Sequence, residues 1–72
     1  MEMLTGPQTT ADQRGDLSET AGLLGLTLVK TIADLWDAKR LWLLPGWDVC
    51  STALADVDAA MAWAVPVSEL AM

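Results

Sequence analysis

The stretch DLSETAGLLGLTLVKTIADLWDAKRLWLLPGW, residues 16–47, decides how the whole chain reads. It opens on Asp16 with Glu19 three positions later, the spacing of a capping box with an acid in the cap position. Apolar residues then recur at Leu17, Ala21, Leu24, Leu28, Ile32 and Leu35. That spacing puts all six on one stripe of an α-helix, with Lys30, Asp34 and Asp37 on the opposite side. Pro45-Gly46 stops the pattern, because proline disfavours helix in the residue before it. The reading is one long helix over residues 16–43. Gly22 and Gly25 fall inside it, each costing roughly 1 kcal/mol against Ala, and they read as points of close helix packing.

Beyond the turn, Trp47, Cys50, Leu54, Val57, Met61 and Val65 form a second stripe. Asp48 is a suitable N-cap and Pro66 a stop, which gives a second helix over about 48–64. Residues 66–72 are left as a short tail. Upstream, residues 1–15 hold Gly6-Pro7, Thr9-Thr10 and Gly15 without any helical or strand period, so they read as a flexible arm. Strands are not expected, since β-branched residues are few and no alternation lasts.

The fold class that follows is all-α: a helical hairpin over residues 16–65. One hairpin cannot cover Leu23, Leu26, Ala33, Leu41 and Leu44 as well as its main stripes. Each buried Leu contributes about 1.5–3 kcal/mol, so the expected solution is a homodimer packed as a four-helix bundle. Leu24, Leu28, Ile32, Leu35, Leu54, Val57 and Met61 are its expected core and seam.

Composition narrows the function. Seventy-two residues make one small domain, 53% hydrophobic, with ten acids against four bases and a net charge of -6. Four scattered bases cannot form a groove for a phosphate backbone, which argues against nucleic acid. With no His and a single Cys there is no common zinc set and no intrachain disulfide. Charges at Lys30, Asp34, Asp37, Lys39 and Arg40 interrupt the only window long enough to span a membrane. The start Met1-Glu2-Met3-Leu4 lacks a basic leader, so a cytoplasmic protein is expected. The absence of Phe, Tyr, Asn and His fits GC-rich coding, and with it a bacterium, a phage or a mobile element.

The chemistry-bearing residues are few. Cys50 has no His to activate it and reads as core. Lys39 lies on the apolar stripe and reads as a snorkelling side chain. Trp42 and Trp47 fall on the main stripes and read as core. Trp36 and Trp63 fall at or beyond the stripe edges, and Arg40 lies near Trp36; Trp and Arg are the types enriched in protein-binding hot spots. Partner contact is therefore expected at Trp36, Arg40 and Trp63, with no catalysis and no cofactor. The function expected is that of a small acidic protein-binding regulator: an inhibitor, anti-activator or adaptor. The alternative is a constitutive small structural subunit of a larger assembly.

Overall fold

A computed structural model describes residues 2–70 and replaces the helical hairpin with a parallel α/β architecture. Strand β1 (Glu2–Thr5) leads into helix α1 (Ala11–Leu24) and the brief strand β2 (Thr27–Leu28). A 3-10 segment (Ile32–Asp37) precedes strand β3 (Arg40–Leu43). A 3-10 turn (Trp47–Val49), helix α2 (Ser51–Ala62) and strand β4 (Val67–Glu69) follow. The strands form one sheet in the order β2-β1-β3-β4, every pair parallel. Met3 lies opposite Thr27 on one side and Leu41 on the other, while Leu41 in turn faces Val67.

The expected helix over 16–43 fails at both ends. It begins earlier, because the Thr10 hydroxyl accepts from the Gln13 N–H and the Gln13 carboxamide accepts from the Thr10 N–H. That capping box displaces the one expected at Asp16 and Glu19. It ends early at Gly25, which takes φ 69, a left-handed conformation that costs glycine little. The N–H groups of Gly25 and Leu26 both return to the Ala21 carbonyl and close the helix. Gly25 is thus a terminator and not a helix-packing contact.

The second helix is shorter than the expected 48–64, with Cys50 and not Asp48 at its N-cap. The segment read as a flexible arm supplies β1, an interior strand of the sheet, and the tail supplies β4. No pair of long apolar stripes remains from which to build a four-helix bundle.

Side chains from the strands sort onto two faces. Met3, Leu41 and Leu43 point toward α2 and the 3-10 segment, where they join Leu35, Val57, Ala60 and Val65. Leu4 points toward α1 and meets Leu17, Ala21 and Leu44. Helix α2 presents Ala53, Asp56, Val57 and Ala60 inward, and the small side chains let it lie close to its neighbours. Of the expected core, Leu35 and Val57 are buried and Leu28 is half-buried. Leu24, Ile32, Leu54 and Met61 are exposed in the single chain: α1 ends at Leu24, Ile32 falls in the 3-10 segment, and α2 turns the face of Ala53, Asp56, Val57 and Ala60 inward, which leaves Leu54 and Met61 outside. Among the described residues no helix is long and apolar enough to cross a membrane.

Candidate functional site at the carboxyl edge of the sheet

Winding outward in both directions sets the site. From the end of β1 the chain leaves through α1 toward β2; from the end of β3 it leaves through α2 toward β4. Neighbouring strands whose connections diverge open a crevice at their carboxyl ends, where open α/β sheets hold their ligands. Here that switch point falls between Thr5 and Leu43, both buried, with the Leu44 N–H donating to the Thr5 carbonyl at 3.0 Å.

The loop Gly6–Thr10 occupies one side of it. A Cβ on Gly6 would sit 2.6 Å from the Leu44 Cβ, so only glycine permits this approach. Beneath it, the Thr5 hydroxyl donates to Asp56 Oδ2 at 2.6 Å, joining β1 to α2. Asp56 is 3% exposed, and burial pushes its carboxyl above the usual carboxylate range while the Thr5 hydroxyl opposes the shift. The Gln8 carboxamide donates to the Gly6 carbonyl at 3.4 Å. Thr9 Oγ1 donates to Cys50 Sγ at 3.8 Å. The Cys50 thiol is drawn below its ordinary value, chiefly by the backbone N–H of Ala53 in the first turn of α2.

Two clefts flank this loop. One, of about 310 Å³, is lined by Gln8, Arg14, Leu17, Leu28, Val29 and Lys30. The other, of about 360 Å³, is lined by Asp16, Glu19, Thr20, Leu23, Leu44 and Pro45. Among the described residues no cluster of His, Cys, Asp and Glu is arranged to hold a metal.

The tryptophans lie differently from expectation. Trp36 and Trp63 do come together, edge to face, with centroids 5.2 Å apart and planes at 83°. They belong to the segments entering β3 and β4, at the end of the sheet opposite the crevice. Arg40 is not their companion: its guanidinium lies 5.5 Å from the Trp42 ring centroid and donates to Ser68. Trp42 and Trp47, expected in the core, are only half-buried, and each indole N–H reaches a carboxylate, Glu2 and Glu69 respectively.

Thr5, Gly6, Gln8 and Asp56 were missed as site residues. Thr10 and Gln13 carry the Ser/Thr-x-x-Glu/Gln spacing of a helix start. It would have placed Gly6-Pro7 in a strand-to-helix loop and Thr5 at a strand end. For Asp56 the signal was Ala53 and Ala60 at helical spacing around it, a stripe overlooked in favour of the larger Leu54 and Met61.

Fold and crevice together define an open, doubly wound parallel α/β domain with a polar carboxyl edge. Comparison with protein-family models, with curated proteins and with solved structures gives no match.

Proposed function

We propose that this chain is a small binding domain that holds a polar small molecule at the carboxyl edge of its sheet. The observation that supports this best is the convergence of Thr5, Gln8, Cys50 and Asp56 where the connections from β1 and β3 diverge. A buried carboxyl in a core otherwise built from Leu, Met, Val and Ala is costly. On this reading the domain is a cytoplasmic regulator without catalysis of its own.

A fragment screen by amide NMR on the labelled protein tests it. Ligands should shift Thr5–Gln8 and Cys50–Asp56 together. Hits confined to the Trp36 and Trp63 end, or no hits, would overturn it.

A second reading keeps a protein partner. Trp36 is 68% exposed and backed by Trp63, a pairing that gives a broad apolar surface of the type found in hot spots. Trp36→Ala should then keep native circular dichroism while weakening partner capture by about tenfold, or about 1.4 kcal/mol. Unchanged capture would remove this reading.

A further inference from the structure

The cleft between the carboxyl ends of β1 and β2 has a divided lining. Leu17, Leu28 and Val29 make an apolar floor, and Gln8, Arg14 and Lys30 stand around it. The chain has only four cations among ten acids, and two of the four meet here. Backbone pairing fixes the geometry: the Val29 N–H donates to the Leu4 carbonyl at 3.2 Å, which seats Val29 and Lys30 beside the end of β1.

Arg14 Nη1 donates to the Gln8 carbonyl at 3.3 Å, so the guanidinium is held against the loop. The remaining donors of its fork have no protein acceptor among the described residues. Asp34 accepts from the Thr31 and Lys30 backbone N–H groups, both at 3.0 Å, and these bonds, helped by the Lys30 charge, lower its pKa, but the Lys30 ammonium makes no hydrogen bond to it. Neither cationic side chain hydrogen-bonds a carboxylate among the described residues. The neighbouring cleft is the reverse, walled by Asp16 and Glu19, and repels anions.

We infer that the cleft lined by Arg14 and Lys30 binds a small organic monoanion with an apolar body, a carboxylate of the size of benzoate. The inference goes beyond the β1–β3 site proposed above to a neighbouring cleft on the same carboxyl edge, which shares Gln8 with it. A carboxylate meets the planar fork of Arg14 and the point charge of Lys30. Its body lies on the leucine and valine floor. A bare inorganic anion gains only the rim and a neutral analogue only the floor. Both cations are exposed, so binding is salt-sensitive.

The test is a titration of the labelled full chain with sodium benzoate at low ionic strength, followed by amide NMR. Saturable shifts at Gln8, Leu28, Val29 and Lys30 are expected. Benzamide and inorganic phosphate should each bind at least about tenfold more weakly. Arg14→Gln and Lys30→Gln, both at exposed positions, should keep the native spectrum and weaken benzoate by a similar factor. No shift at these amides, equal shifts with phosphate, or full affinity in Arg14→Gln would each overturn the inference. If other fragments shift Thr5–Gln8 while benzoate shifts nothing, the ligand class is wrong and the carboxyl-edge reading stands. Silence along the whole edge with every ligand ends both.

Discussion

On the α2 side of the sheet, Met3, Leu35 and Leu41 lose essentially all contact with water beneath α2 and the 3-10 segment. On the α1 side the helix packs against β1 and β2, with no comparable cover over β3 and β4. Trp42 fills that gap. Its ring shelters Leu4 from one side and borders an open cleft with Leu24, Leu26 and Leu70 on the other. Its indole N–H stays near the surface and donates to Glu2 at 2.9 Å, and Arg40 lies over its ring. One face is closed by backbone elements and the other by an amphipathic side chain. The first depends on small residues such as Ala53 and Ala60 that let a helix come close; the second depends on the aromatic's ability to be apolar and wet at once.

The sharpest way to break this comparison is to remove the strand that both faces share. Deleting residues 2–10 takes away β1, and the remainder should lose cooperative unfolding and most of its circular dichroism signal. A deletion variant with a native melting curve would mean that β1 is dispensable.

The next test sets one face against the other. Leu35→Ala, on the closed face, should cost about 2–5 kcal/mol in chemical denaturation. Leu24→Ala, exposed on the open face, should stay near 0.5 kcal/mol. Equal losses would show that the open face is covered in solution.

Two carboxyls sharpen the picture through pH. Asp56 has its native pKa raised above 3.8 by burial, so its contribution is fully present below that value and is lost as pH rises through the native pKa. Measured against Asp56→Asn in urea, the native protein should therefore lose relative stability on going from acid toward neutral pH. Asp34 has the opposite sign. The backbone N–H groups of Thr31 and Lys30 lower its pKa, so its contribution is present above 3.8 and lost as pH falls through the lowered value. Asp34→Ala should flatten the acid limb of the same curve.

The smallest effect belongs to the turn that feeds Val65 into the closed face. Ala64 has φ 57, where a Cβ costs about 1–2 kcal/mol. Ala64→Gly should raise the melting temperature by a few degrees, net of the entropy that glycine loses. A fall would show that the Ala64 methyl contributes packing.

Much of the helix content was legible and almost none of the sheet. The second helix lies inside the expected 48–64, bracketed by Asp48 and Pro66, but the stripe through Leu54 and Met61 is its exposed face and not its buried one. The first was extended far past Gly25 because Leu28, Ile32 and Leu35 continue the helical spacing by chance across β2 and the 3-10 segment. Strand β3 carries apolar side chains on both faces, Trp42 taking the place of a covering helix on one, so Leu41-Trp42-Leu43-Leu44 shows no alternation to distinguish it from buried helix. With strands of four, two, four and three residues there was little pattern to find. The site went unseen for the same reason, since Thr5 and Gly6 acquire meaning only at the end of a strand. The proximity of Trp36 to Trp63 arises from the sheet order and not from any spacing along the chain.

The parallel register also orders events in time. In a chain growing from its amino terminus, β1 is made first, yet its longest hydrogen-bonded partner begins only at Arg40, in the second half of the sequence. Parallel strands cannot close as a hairpin, so Met3 and Leu4 have only the two residues Thr27 and Leu28 of β2 to pair with until β3 is made. Helix α1, with its cap built from Thr10 and Gln13, needs nothing distant and can form early. The sheet gains its longer pairings, β1 with β3 and β3 with β4, only after those strands have been made. The species most exposed to aggregation is then the nascent chain that ends before β3, and a ribosome paused there would hold it in that state longest.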